Sequence, residues 1–417
     1  MKKLLYAFIC FLYIIGPVLN TPLNLYGDPI LFLSAIFSCY LFVGKFDTAL
    51  NPRIFLGLFE YPFIGFQFYL ILPLLGAFFF PVYGGLVSLA DFIRPLRIVL
   101  TMYAGLALVL IAYKLYYMAF FIKLIKIITY VMIINAAIIC CQTMFESVRD
   151  VINSFLFRID DGVDRYGIEL RSSGLYLSGG ALPSVFQTIV TIFIPYLISR
   201  KEFNYWLGLL FSLFLFITSI FTGRSGIFVS IPFVYTAFIF LSKRQFYNML
   251  VFFMLGLFFL LSYVSFFESE AFAYAIERFS WLANESKDSG TIAIILNKLS
   301  IPDNVFILLF GVLNFNNAIY SHVSDMGFNI KLWTYGFVGW IFFYLSYFKM
   351  MFYVCRFKFD AFKDERILVI IFLLTYLFFE FKENMMYARN GMSILSLVMY
   401  AYVVYRYKIR MLVRMTR

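Results

Sequence analysis

Apolar residues run along this chain in long blocks separated by short polar stretches. The blocks cover residues 4–19, 29–44, 55–80, 98–113, 127–145, 184–199, 206–221, 227–241, 246–265, 331–354, 367–379 and 391–405. A helix needs about 20 apolar residues to cross the hydrocarbon of a bilayer, so the pattern predicts about twelve transmembrane helices. Strands of a membrane barrel would alternate over about ten residues, whereas these blocks are longer and uniformly apolar. The expected fold class is all-α, a polytopic integral membrane helical bundle. No internal repeat or low-complexity tract divides it, so residues 1–417 read as a single transmembrane domain. The opening MKKLLYAFICFLYIIG has the look of a signal peptide. No small-residue cleavage site follows it, so an uncleaved first helix is expected.

Composition agrees. Of 417 residues, 63% are hydrophobic, 22% aromatic and only 14% charged, with 56 Phe and a mean hydropathy of +0.88. Soluble domains are about 25% charged. So much apolar surface needs lipid as its solvent. A net charge of +11 would suit nucleic acid or acidic lipid. The Lys and Arg sit in short clusters between the blocks, however, which is the positive-inside bias of membrane proteins, and no nucleic-acid partner is expected. Cys10, Cys39, Cys140, Cys141 and Cys355 lie in or at the ends of apolar blocks with no zinc-like spacing. Neither a disulfide nor a metal is expected.

Charge also sets the orientation. Lys2 and Lys3, Lys45 and Arg53, Lys114 with Lys123 and Lys126, Arg200 and Lys201, Lys243 and Arg244, residues 356–366, and the basic tail all fall on one side if there are about twelve spans. That side is the cytoplasm, with both termini. The opposite face then holds residues 20–28, 81–97, 146–183, 222–226, 266–330 and 380–390. Two of these outer loops are long, 146–183 and the larger 266–330, and loops beyond about 15 residues are usually functional or disordered. The larger one contains AFAYAIERFSWLANE and SGTIAIILNKL, whose apolar spacing suits short amphipathic helices at the interface.

Arginine should be scarce on that outer face. Arg94, Arg97, Arg149, Arg158, Arg165, Arg171, Arg224, Arg278 and Arg389 nevertheless fall there. Either neighbouring acids pair with them or they meet an anionic ligand. RYGIELRSSGLYLSGGALPSV, residues 165–185, holds Arg165, Arg171, Gly174 and the pair Gly179 and Gly180. Arginine offers a planar, permanently charged fork that matches phosphate oxygens. Glycine allows a close backbone approach. Ordinary turn residues of a solvated loop are the plainer account. TGRSG, residues 222–226, places Arg224 at or near membrane depth, where an arginine marks a functional site or snorkels to the interface. IYSHVSDMGFNIKLWTYGFVGW, residues 319–340, contains the only histidine, His322, with Asp325 three residues on. On a helix these share a face, and a carboxylate can orient a histidine that moves protons near neutral pH. FEFKENMMYARNGM, residues 379–392, packs Glu380, Lys382, Glu383 and Arg389 as either a self-satisfied ion-pair cluster or a ligand site. No P-loop, GxGxxG, HExxH or GxSxG motif occurs, which argues against ATP hydrolysis, dinucleotide chemistry and zinc hydrolysis in this chain.

With these motifs in view, the chain resembles the Wzy-type O-antigen (oligosaccharide repeat unit) polymerases, relatives of the O-antigen ligases. The resemblance rests on the ELRSSGLYLSGGA-type loop, the TGRSG hairpin, the HVSDMGF…W…G…GW entry after a long outer loop, and the charges before the last span. It implies a GT-C-like membrane glycosyltransferase in the bacterial inner membrane with its active face in the periplasm. The implied substrate is an undecaprenyl-diphosphate-linked oligosaccharide embedded in membrane lipid. Its glycan passes to the non-reducing end of a second lipid-linked repeat unit, without nucleotide sugar, cofactor or metal. A chain-length regulator protein is an implied partner. On this resemblance Arg171, Arg224, His322 and Asp325 are the expected catalytic residues. Arg165, Gly174, Gly179, Gly180, Glu380 and Arg389 are expected to bind substrate. The alternatives are an O-antigen ligase and a lipid-linked oligosaccharide flippase. Long outer loops and the lack of a repeat weigh against the flippase.

Overall fold

The computed structural model describes residues 1–18, 28–43, 89–156, 172, 174–176, 181–223, 225–263, 301–311, 327–356, 363–382, 385 and 388–415. Among them all regular structure is helical and no strand occurs. Four elements are long and apolar enough to cross a membrane: Leu96–Met144, Leu182–Ser199, Tyr205–Thr222 and Gly327–Cys355. Shorter apolar helices cover Pro29–Leu41 and Ser225–Phe240. The chain is a helical membrane protein. The expected span at 55–80 and the two amphipathic segments at 271–285 and 289–299 lie outside the described residues.

Contacts divide the chain into two units, Met1–Phe32 with Leu115–Glu285, and Leu33–Lys114 with Ser286–Arg417. We number the helices α1 (Lys2–Ile14), α2 (Pro29–Val43), α3 (Leu89–Tyr116), α4 (Phe120–Met144), α5 (Glu146–Phe155), α6 (Ala181–Ile189), α7 (Phe193–Ser199), α8 (Tyr205–Thr222), α9 (Ser230–Phe240), α10 (Lys243–Tyr263), α11 (Val305–Phe310), α12 (Gly327–Cys355), α13 (Lys363–Lys382) and α14 (Arg389–Met415).

In the first unit α4 is the central column. Its buried positions Phe121, Leu124, Ile125, Ile128, Met132, Asn135, Ile139, Gln142 and Thr143 recur every three or four residues, a single stripe on the helix. The stripe is mainly apolar as far as Met132, and beyond it Asn135, Gln142 and Thr143 alternate with Ala136 and Ile139. Ile134 and Tyr130, off the stripe, are exposed. The helix therefore turns apolar side chains to lipid and its amides inward, the reverse of a soluble helix. α6, α7 and α8 pack on this stripe. The α7–α8 connection carries Glu202, whose carboxylate takes Lys123 at 2.7 Å and Lys126 at 2.9 Å. Asn204 then caps α8 by accepting from the Trp206 N–H.

In the second unit α12 packs against α11 and α13, and α13 against α14. α12 is not one continuous helix. At Gly336 the backbone takes φ 67°, ψ 179°, in the left-handed region that favours glycine. A Cβ there would stand 2.3 Å from the Leu309 carbonyl oxygen, so the break is where α11 crosses the helix. Two expected loops prove shorter than the apolar blocks suggested. α3 begins at Leu89 rather than at 98, and α13 runs on to Lys382 rather than ending at 379. Helical hydrogen bonding does not stop where apolar residues do.

Candidate functional site

In the first unit the segment around Gly174 is not a solvated loop. Ser172 and Tyr176 are 1% exposed, and side chains of two helices, α4 and α8, hold the segment. From α4, the Gln142 side chain accepts from the Gly174 N–H at 2.8 Å and donates to its carbonyl at 3.3 Å. Asn135 accepts from the Leu175 N–H at 3.0 Å and donates to Gln187 of α6 at 3.0 Å. Thr143 donates to the Ser172 hydroxyl at 2.7 Å. From α8, Thr222 donates to the Ser172 carbonyl at 2.9 Å. Burial without partners would cost about 1–3 kcal/mol per polar group, so these bonds decide whether the segment can enter the bundle.

Gly174 takes φ +62°, and a Cβ on it would lie 2.6 Å from Asn135 Oδ1. Its described role is to let the segment turn against α4, with both its backbone polar groups occupied. The hairpin joins the same cluster. Thr222 is the last residue of α8, and the Gly226 N–H donates to the Ser184 hydroxyl at 3.0 Å. A Cβ at Gly226 would meet the Ser184 carbonyl at 2.5 Å, so only glycine permits that approach. Thus the RSSGLY segment, the start of α6 and the TGRSG hairpin, separate in sequence, converge on one hydroxyl-rich cluster. Arg171 directly precedes Ser172, and Arg224 follows Thr222 by two residues. The residues Arg165, Arg171, Gly179, Gly180 and Arg224 themselves lie outside the described residues.

The second unit holds a buried ion pair. Lys331 of α12 and Glu380 of α13 form a salt bridge with side chains 1% and 0% exposed. Tyr344 donates to the same Glu380 oxygen at 3.1 Å. The Lys331 ammonium stands 4.6 Å from the centre of the Phe343 ring, an added attraction for a desolvated cation. Phe328 is stacked between Tyr344 and Phe381, at 4.3 and 4.1 Å between ring centres. Glu380 was expected among charged residues of an outer loop. It is instead inside a helix, in the bundle, and its described partner comes from 49 residues away.

This pair ties the segment that follows His322 and Asp325 to the one that precedes Arg389. His322 and Asp325 lie outside the described residues. Arg389 opens α14. Sequence reasoning did not single out Lys331. The available signal was a lysine inside the apolar run FNIKLWTYGF, since an ionisable residue within a span marks a functional or paired site.

Compared with protein-family models, with curated proteins and with solved structures, the chain matches none. Among the described residues no group of three His, Cys, Asp or Glu side chains is placed to hold a metal ion.

Proposed function

We propose that this protein is an oligosaccharide repeat unit polymerase of the Wzy type, acting on undecaprenyl-diphosphate-linked glycans at the outer face of a bacterial inner membrane. The observation that carries the reading is the Thr222–Ser172 hydrogen bond. It joins the two motifs that contain Arg171 and Arg224, which the charge pattern of the sequence assigns to the face opposite the positive clusters. In this reading the two guanidinium groups receive the diphosphate leaving group. The bond from the anomeric carbon to the phosphate oxygen breaks, and its electron pair passes to the diphosphate. The hydroxyl oxygen of the acceptor repeat unit forms the new glycosidic bond, and its proton goes to a base, His322 or Asp325. Fixed positive charge aimed at a developing anion in a poorly hydrated site is a large source of rate enhancement. Arg165, Arg389 and the glycines of the outer segments contact the substrate around it. Within the second unit, Glu380 ties α13 to α12 through Lys331.

The test is deletion in the source strain followed by a gel of its lipopolysaccharide. Loss of the ladder with one repeat unit still attached to core supports polymerase. Loss of every repeat unit, with lipid-linked units accumulating, overturns it in favour of ligase or flippase. Complementation with Arg171→Ala and with Arg224→Ala at normal expression tests the site. A full-length ladder from both refutes the diphosphate role.

A further inference from the structure

α5 follows the central column after a single residue. Phe145, extended at φ −128°, ψ 109°, ends α4 and starts α5, so the chain leaves the span and begins a new helix in a new direction. Ten residues make about 15 Å of helix, half of what a crossing requires. Val148, Val151 and Phe155 recur at steps of three and four and form one stripe. Val151 is 56% exposed and Phe155 66%. Met144 and Phe145, also exposed, continue this apolar surface back to the end of the span. Glu146, Asp150 and Asn153 lie on the opposite face of the helix. Arg149 is turned inward with 12% of its side chain exposed, Nη2 standing 3.5 Å from Glu146.

We propose that α5 lies in the plane of the membrane at the rim of α4, its Val148–Val151–Phe155 stripe inserted between the lipid acyl chains. The occupant of this exposed face is lipid for two reasons. The stripe is continuous with the lipid-exposed end of a span, and a helix with one apolar and one acidic face sits stably at the boundary of hydrocarbon and water. The helix has one arginine against one glutamate and one aspartate. Attraction to anionic headgroups therefore contributes nothing, and apolar burial alone holds it. Its consequence for the site is mechanical. Thr143, the penultimate residue of α4, carries Ser172, so an anchored α5 fixes the depth of the hydroxyl cluster relative to the bilayer surface. The contact with lipid requires no particular reaction at that cluster.

The experiment places trifluoromethyl-phenylalanine at Phe155, and separately at the exposed Phe348 of α12 as a span reference, in the full chain reconstituted in nanodiscs. Fluorine relaxation is measured with dissolved oxygen, which concentrates in hydrocarbon, and with a water-soluble gadolinium chelate. The expected result is oxygen relaxation several-fold above chelate relaxation at both positions, less extreme at Phe155. The result at Phe155 is expected to be the same in phosphatidylcholine and phosphatidylglycerol. Dominant chelate relaxation at Phe155 overturns the proposal, because the stripe then faces water. Protection from both agents also overturns it, because protein then covers the stripe. Insertion only in phosphatidylglycerol overturns the apolar mechanism.

Discussion

The Lys331–Glu380 pair makes the sharpest energetic claim. Both side chains are essentially without solvent contact. Removing one partner strands the other charge in a medium that cannot solvate it, at a cost of about 3–5 kcal/mol. Lys331→Met removes the cation from beside the buried carboxylate and keeps its Tyr344 bond. Glu380→Gln leaves the ammonium against the face of Phe343. The double variant strands no charge, and its glutamine still accepts from Tyr344, so it is expected to lie close to the parent protein. The assay is a double-mutant cycle on unfolding in mixed micelles of mild detergent and dodecyl sulfate. With each single loss about 3–5 kcal/mol and the double variant close to the parent, the expected coupling is about 6–10 kcal/mol, above the usual range for contacting residues. If the double variant lost the sum of the two single losses to within about 0.5 kcal/mol, the pair would be uncoupled and the argument from burial refuted.

Thr222→Val should lose about 1–3 kcal/mol through the orphaned Ser172 carbonyl, while Thr222→Ser keeps the bond. Under the proposed function, the valine variant also shortens the lipopolysaccharide ladder and the serine variant does not. Gly174→Ala should destabilise by more than the 1–2 kcal/mol cost of a left-handed backbone, because its Cβ also collides with Asn135 and Ile139. Thermal unfolding compared with Gly208→Ala, where only flexible side-chain ends are in the way, separates the two contributions. Burial pushes the Glu202 carboxyl up, but the hydrogen bonds and charges of Lys123 and Lys126 outweigh it and hold the group below the ordinary carboxylate range. A depressed folded value means stability that is present above about pH 4.3 and lost as pH falls through the folded value. Glu202→Gln should therefore flatten the acid limb of a stability–pH curve; an unchanged limb would remove the claim.

What the sequence determined by itself is the solvent and the kind of secondary structure. Long apolar blocks with few charges require lipid, lipid requires every backbone group to be paired in a helix or a closed barrel, and the length and uniformity of the blocks select helix. The blocks at 206–221 and 331–354 sit within α8 and α12, and the motifs holding Arg171 and Arg224 were legible as residues out of place by charge. Their meeting was not legible. Ser172 and Thr222 are 50 residues apart, Asn135 and Gln187 are 52 apart, and Lys331 and Glu380 are 49 apart. No periodicity encodes which helix faces which. Gly174 was expected to bind substrate, with an ordinary turn residue of a polar loop as the plainer account. Only packing against α4 shows that the Gly174 backbone and Ser172 are satisfied inside the bundle. The helix break at Gly336 was silent for the same reason, since its cause is the backbone of α11 crossing from elsewhere in the chain. Composition chooses the solvent and local pattern the helices, because both act within a few residues. The sites depend on pairings between helices, which exist only once tertiary packing has brought distant polar groups close enough to replace the water they lost.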